Sequence, residues 1–154
     1  MRRKLLVAVL LAALPSFSWA LPAADEAVIG VVRNCSGAAL VLRAGQAIPA
    51  AEGMKLRAGD ALSTGADGSL GVILRDNSSL SIGPDSNVVV EKFLFSPAEG
   101  RLGLFARLAK GTMAYLSGMI GKLAPETVRF ETPVASIGIR GTCFVVKAGE
   151  PETP

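Results

Sequence analysis

Residues 69–84 read Ser-Leu-Gly-Val-Ile-Leu-Arg-Asp-Asn-Ser-Ser-Leu-Ser-Ile-Gly-Pro, two short apolar runs separated by a polar turn. The runs Ser69–Arg75 and Ser79–Ile82 are candidate strands, because apolar side chains recur in them at strand-like spacing. Asp76 and Asn77 between them are turn residues, since their side chains accept hydrogen bonds from the nearby backbone. The stretch therefore predicts two strands joined by a tight turn.

Short apolar runs punctuated by turn residues continue over most of the chain. In Thr127–Glu131, for example, Val128 and Phe130 share one face and Arg129 and Glu131 the other. The other candidate strands are Val28–Arg33, Ala39–Arg43, Ala61–Ser63, Asn87–Phe93, Arg101–Ala109, Thr112–Ser117, Val134–Ile139 and Cys143–Lys147. We therefore predict an all-β fold: a single domain of short strands, arranged like a β-solenoid or a β-sandwich.

Three aspartates, Asp67, Asp76 and Asp85, are nine residues apart, and each opens a turn before an apolar run. This spacing suits a chain that winds in short strands joined by tight corners. Calcium ligation is the alternative interpretation, but the glycine-rich runs of calcium-binding nonapeptide repeats are missing. Two segments, Leu102–Leu108 and Met113–Leu123, have spacing compatible with either a helix or a strand.

The N-terminus has the features of a cleavable export signal at residues 1–20. Arg2, Arg3 and Lys4 precede the apolar run Leu5–Leu14, and small residues stand at the cleavage site. The run is too short for a bilayer, which needs about 20 apolar residues. We expect an exported, periplasmic protein whose mature chain has no integral membrane span. Residues 21–26 are expected to be a linker, residues 27–148 the β domain and residues 149–154 a tail.

Composition argues against several classes of function. Three of the 16 basic residues and none of the 13 acidic ones lie in the export signal, so the mature chain has 13 of each. Its basic character therefore gives no support to nucleic-acid binding. The sequence has no histidine, which removes His-based triads and His metal ligands. Nucleotide-binding and nucleophile-elbow motifs are also missing. We predict a protein that is not an enzyme and takes no metal or other cofactor.

The two cysteines, Cys35 and Cys143, lie near the two ends of the mature chain. In an oxidising compartment, two cysteines suggest one disulfide. Closing so long a loop would stabilise the fold by roughly 4–5 kcal/mol. We predict a Cys35–Cys143 bridge; the alternative is a pair of unpaired, partly buried thiols.

Three segments resemble the FecR-type domain family. Glu131–Phe144, which reads ETPVASIGIRGTCF, resembles the family signature T-P-x-A-x-x-G-[VI]-R-G-T-x-F. Ala58–Gly65 resembles G-D-x-[IL]-x-T-G, and Leu74–Pro84 resembles L-x-D-G-S-x-L-x-L-x-P. Asn77 stands where glycine is usual, and asparagine is the best substitute at positive φ. The matching residues are Gly59, Asp60, Thr64, Gly65, Asp76, Thr132, Pro133, Gly138, Arg140, Gly141, Thr142 and Phe144.

The resemblance implies an all-β, solenoid-like domain on the outer side of the cytoplasmic membrane. In full-length FecR-type regulators this region receives a signal from an outer-membrane transporter and passes it to an inner anti-sigma segment. Here an export signal stands in place of that segment, so only the extracytoplasmic module carries over. Within the signature, Pro133 favours extended backbone. Arg140 is expected to pin a corner by hydrogen bonds; its alternative role is to bind an anionic ligand.

The sequence thus predicts a non-enzymatic extracytoplasmic interaction and signalling module that docks an envelope or membrane protein. Edge-strand pairing is a common mode for such modules. The apolar stretch Met113–Leu123 is a candidate docking surface, with a buried strand plus turn as its alternative. A second hypothesis is a periplasmic module that binds a ligand or cell-wall glycan, with Arg75, Asn77 and Arg140 as the candidate contacts.

Overall fold

Twelve strands and one short helix make up residues 27–149, the part of the chain that the computed structural model describes. The strands are β1 (Val28–Ser36), β2 (Ala39–Arg43), β3 (Gln46–Pro49), β4 (Lys55–Arg57), β5 (Ala61–Thr64), β6 (Ser69–Leu74), β7 (Ser79–Ile82), β8 (Asn87–Ser96), β9 (Arg101–Leu116), β10 (Val128–Thr132), β11 (Ala135–Gly138) and β12 (Cys143–Ala148). The helix α1 is Met119–Leu123, and 3₁₀ turns occur at Pro97–Glu99 and Pro125–Thr127. The prediction of an all-β fold is confirmed.

The strands form one curled sheet, a half-barrel, in the order β3-β2-β5-β8-β9-β7-β6-β1-β4. β10 and β12 also pair with β9, and β11 pairs with β10. All pairings are antiparallel except that of β9 with β10. Residues 101–110 of β9, together with β2, β3, β5, β8, β10 and β11, form what we call the β8 half. Residues 111–116, together with β1, β4, β6, β7 and β12, form the β7 half.

The long strand β9 joins the two halves, where the sequence predicted two strands, Arg101–Ala109 and Thr112–Ser117. Gly111 lies between those segments with φ at 93°, a conformation that L side chains rarely adopt. The Ser86 hydroxyl oxygen accepts a hydrogen bond from the Thr112 N–H at 2.9 Å. Any side chain at position 111 would overlap Ser86. The strand therefore bends at Gly111 while its pairing continues on both sides.

The core lies on the inner face of the sheet and follows the predicted alternation. On β6 and β7, Leu70, Val72, Leu74, Leu80 and Ile82 are each at most 2% exposed. Burial of such a side chain contributes roughly 1.5–3 kcal/mol relative to leaving it exposed. A single apolar cluster runs through both halves of the sheet. The two halves therefore share one core.

Three aromatic rings hold β9, β10 and β12 together. The ring centroids of Tyr115 and Phe130 are 4.9 Å apart, and Phe144 lies 5.4 Å from Tyr115 and 5.1 Å from Phe130. Such tilted and edge-on pairs stabilise by about 0.5–1.5 kcal/mol each beyond the area they bury. Phe144, the last residue of the signature, therefore packs against the core.

The three regularly spaced aspartates all lie in turns. Asp76 lies in the β6–β7 hairpin, whereas Asp67 and Asp85 lie where the chain crosses between the two halves. Within residues 27–149 no group of three or more acidic or cysteine side chains is placed to hold a metal ion. The spacing of nine residues therefore reflects strand length and turn geometry.

Asn77 has φ at 64°, the left-handed conformation that its place in the signature predicts. We expect the free energy of unfolding of Asn77→Gly to stay within about 0.5 kcal/mol of the wild-type value, because glycine adopts this conformation without strain. Asn77→Ala should lower it by about 1 kcal/mol, because alanine resists positive φ. Urea unfolding measures both effects. Arg75→Ala, at an exposed neighbouring position, is the matched control. The expectation would be contradicted if Asn77→Ala lowered the free energy of unfolding no more than Arg75→Ala does.

The predicted Cys35–Cys143 disulfide is not formed, and both cysteines are free. Cys35 on β1 is opposite Leu70 on β6, and three strands, β6, β7 and β9, separate β1 from β12. The Cys35 thiol lies 3.5 Å from the carbonyl oxygen of Ala50, and Cys143 is exposed on β12. The two ends of the domain belong to the same half of the sheet but not to neighbouring strands, which is why the bridge is absent.

The predicted export signal at residues 1–20 and the linker at residues 21–26 lie outside the described residues, as do residues 150–154 of the predicted tail.

Candidate functional site

The signature Glu131–Phe144 runs along the surface from β10 to β12. Thr132 ends β10, and Pro133 and Val134 form the turn into β11. The Thr132 hydroxyl oxygen accepts a hydrogen bond from the Ala135 N–H at 3.0 Å, which closes this hairpin. After β11, Arg140, Gly141 and Thr142 form an exposed connection to β12.

A groove of about 270 Å³ lies between β11 and β12 and is lined by the second part of the signature. Its apolar lining includes Ile139, which is 8% exposed, and the half-buried Phe144. Arg140 is the charged residue among those that line it. Within residues 27–149 the Arg140 guanidinium makes no hydrogen bond or ion pair, so the predicted pinning of a corner is not observed.

β12 has an open edge beside this groove. It pairs with β9 on one side, and no other described strand pairs with it. The Ser117 N–H donates to the Thr142 carbonyl at 2.7 Å, and hydrogen-bonded pairs alternate along an antiparallel ladder. The next bonded positions on β12 are therefore Phe144 and Val146. By the same alternation, the N–H and C=O groups of Cys143, Val145 and Lys147 point away from β9.

A second motif, around Asp76, builds a buried polar network. The Asp76 carboxylate accepts hydrogen bonds from the Ser78 N–H at 3.0 Å, the Ser78 hydroxyl at 2.6 Å and the Ile120 N–H at 3.2 Å. Because the Ser78 hydroxyl donates its proton to Asp76, the hydroxyl oxygen accepts hydrogen bonds from the Gly118 N–H at 3.1 Å and from the Tyr115 hydroxyl at 3.2 Å. The network fastens the β6–β7 turn to the end of β9 and to α1.

Burial raises the pKa of Tyr115 above its ordinary value of 10.0, with a further contribution from the negative charge of Asp76. Because the pKa is higher in the folded than in the unfolded chain, Tyr115 stabilises the fold fully below pH 10. That stabilisation is lost as the pH rises through the folded-state pKa.

We expect the free energy of unfolding to fall more steeply above about pH 10 for the wild type than for Tyr115→Phe. Urea unfolding at a series of alkaline pH values measures the difference, and the variant removes the titrations that both proteins share. Tyr115 is the one tyrosine of the sequence, so ultraviolet absorbance follows its ionisation directly. Ionisation at the ordinary value in the folded protein would contradict the expectation.

The first motif, Ala58–Gly65, is a second structural junction. Asp60 is 3% exposed and binds Arg43 through two bonds, from Nε at 2.9 Å and from Nη2 at 2.6 Å. It also accepts the Arg57 N–H at 2.9 Å. Gly59 supplies the positive φ of 87° that turns the chain into this position. The pair ties β2 to the β4–β5 turn.

Thr64 and Gly65 bind the turns that join the two halves of the sheet. The Thr64 hydroxyl donates to the Gly83 carbonyl at 2.6 Å and accepts the Ser86 N–H at 3.0 Å. The Gly65 carbonyl accepts N–H groups from Gly68 at 3.0 Å and from Asp85 at 2.9 Å. Both residues of the motif therefore hold the fold together.

The residues nominated for ligand binding do not meet in one site. Arg75 and Asn77 line a shallow cavity of about 180 Å³ beside β1, whereas Arg140 lines the groove at β12. In the nominated stretch Met113–Leu123, the side chains of Met113, Tyr115 and Ile120 are fully buried. Leu116, Met119 and Leu123 are exposed at 51%, 41% and 56%. This stretch is therefore largely structural, with three apolar side chains at the surface.

Sequence reasoning missed two features of this region. Ser78, Tyr115 and Gly118 complete the Asp76 network, and the signal for Gly118 was its break in an apolar run. A side chain at position 118 would overlap the backbone of Asp76 and Ser78, so glycine is required by close approach. The open edge of β12 had no signal in the sequence, because strand order is a property of the whole sheet.

Two of the three motifs thus lie at buried junctions of an all-β sheet, and the signature lies at its surface. The family model described as "FecR protein" matches residues 60–153, which is more than half of the chain, and the chain belongs to the FecR family. FecR domains are signalling and regulatory domains of the periplasmic type. No curated protein and no solved structure matches the chain. Over residues 27–149 no helix is long and apolar enough to cross a membrane.

Proposed function

We propose that this chain is a non-enzymatic, exported interaction and signalling module that docks an envelope or membrane protein in the periplasm. The observation that carries the proposal is the position of the FecR signature: residues 137–141, 143 and 144 line a surface groove beside a strand edge that no other described strand pairs with. The other two motifs of the family lie in buried junctions of the sheet. Of the three motifs, only the signature is exposed at the surface and also held in place by contacts with the core.

The geometry supports binding better than it supports any chemistry. The groove combines apolar residues, exposed backbone groups and one guanidinium, which are the elements that a protein surface uses to recognise a peptide. The aromatic contacts of Phe144 fix β12 against the core. The groove is therefore preorganised, which reduces the entropy lost when a partner binds.

Cross-linking in cells tests the proposal. The full chain, tagged at its C-terminus, is expressed in its own host and treated with formaldehyde, and captured material is identified by mass spectrometry. The expected result is one enriched envelope protein, together with a mature N-terminus that starts near residue 21.

The control is Val72→Asp, which buries a charge in the core and disrupts the fold. A partner of the folded domain is lost with this variant, whereas proteins that bind the tag or unfolded chains remain. Capture of the same proteins by both chains, or recovery of glycan fragments without protein, would overturn the proposal.

A further inference from the structure

The edge of β12 has the features that pairing with another strand requires. The backbone groups of Cys143, Val145 and Lys147 face outward, as argued above from the Ser117–Thr142 hydrogen bond. On the outer face, Val145 of β12 is 66% exposed, and Leu116 on the neighbouring strand β9 is 51% exposed. An open edge flanked by apolar side chains provides both backbone pairing and a surface to bury.

The charges around this edge indicate which kind of strand fits. From Thr132 to Gly149 the chain carries two basic residues, Arg140 and Lys147, and no acidic residue. The adjacent cavity adds Arg129 and Glu126, which carry opposite charges, and among residues 27–149 Arg140 forms no ion pair, so the described part of this region has a net positive charge. A second copy paired through β12 would bring the basic residues of both copies together. A strand that carries a carboxylate would instead neutralise them.

We propose that β12 receives an extended segment of the partner protein as an added strand, with an acidic side chain against Arg140 and an apolar side chain in the groove. The proposal rests on the proposed function, since it names the surface and the chemistry of the partner. Backbone hydrogen bonds to Val145 and to the residues two before and two after it pair the added strand with β12. Arg140 selects for the acidic residue, and Ile139 and Phe144 supply apolar contact.

A peptide selection tests this surface without knowledge of the natural partner. Random dodecamer peptides displayed on phage are selected on the purified mature chain, and the affinities of the enriched peptides are measured. We expect enriched peptides to combine an acidic residue with apolar residues at alternate positions. Arg140→Glu should weaken their binding by about tenfold or more, since it turns an attraction into a repulsion. Arg33→Glu, at an exposed arginine of β1, makes the same change of charge and should leave binding unchanged.

Val145→Pro tests the backbone pairing. Proline removes an N–H that points away from β9, so the existing ladder is kept while the added strand is excluded. Circular dichroism checks that the sheet is intact. Arg140→Glu changes an exposed residue outside the strands, so the proposal stays testable even where the proline disturbs the fold.

Amide hydrogen exchange gives a direct readout. In the free protein, the N–H groups of Cys143, Val145 and Lys147 should exchange rapidly, whereas those of Phe144 and Val146 are protected by β9. A bound peptide should protect the first group and leave the second as it was.

Three results would overturn the proposal: a selection that enriches no peptide or shows no acidic preference, binding that survives both substitutions, or self-association of the wild type that Val145→Pro abolishes. The last result would assign the edge to a second copy. A protein partner cross-linked in cells at a different surface would leave the proposed function standing and overturn this assignment alone.

Discussion

Asp76→Ala should lower the free energy of unfolding by about 3–5 kcal/mol, because it leaves the buried Ser78 and Ile120 N–H groups without their acceptor at about 1–3 kcal/mol each. The Ser78 hydroxyl loses its acceptor as well, and of the two hydrogen bonds from α1 to Asp76 only that of the Met119 N–H to the backbone carbonyl remains. Removal of the buried carboxylate also removes the cost of its desolvation, which raises the free energy of unfolding. Three donors already satisfy that carboxylate in the fold, so the loss dominates. Urea unfolding followed by circular dichroism measures the change.

Asp76→Asn is the matched control for volume. Its amide oxygen can still accept one N–H, but its NH₂ group faces a donor where a carboxylate oxygen was, so an intermediate loss is expected. Equal stability of Asp76→Ala and the wild type would show that the network does not support the fold.

Asp60→Ala should lower the free energy of unfolding by about 2–4 kcal/mol, because it leaves a partly buried guanidinium without its carboxylate. The Arg43 side chain is 25% exposed and that of Asp60 4%, so water screens the pair only in part. The Arg57 N–H loses its acceptor in the same variant.

A double-mutant cycle with Arg43→Ala separates the pair from its surroundings. The coupling energy should be about 1–3 kcal/mol and should persist at high salt, since burial limits screening. The exposed pair of Arg107 with Glu91, at 3.1 Å, is the control, and its coupling should be about 0–1 kcal/mol and salt-sensitive. Additive effects of Arg43→Ala and Asp60→Ala would contradict the assignment of Asp60 as a junction residue.

The strands of the core could be predicted because their signal is local. The runs at β6 and β7 alternate in the sequence, and the same residues alternate in burial. The left-handed turn at Asn77 was equally predictable, since it depends on the conformational preference of one residue. β3 and β4 were missed because they have only four and three residues and lie at the sheet edges.

Features that depend on strand order could not be predicted. The absent Cys35–Cys143 bridge and the continuity of β9 through Gly111 both follow from which strands become neighbours. The candidate site shows the same limit. The signature marked the segment that lines the groove, but its sequence did not show that Phe144 packs against the core while Arg140 stays at the surface.

The repeated crossing of the chain between the two halves of the sheet has a kinetic consequence. β1 pairs with β6, and β2 with β5, so these strands cannot complete their pairing until later segments of the chain are available. β12, whose Phe144 completes the aromatic cluster, arrives last. Contacts between distant segments slow the search for the native state. The polypeptide therefore passes through incomplete sheets whose unpaired strand edges are exposed to aggregation, chaperones and proteases until the last segments have folded.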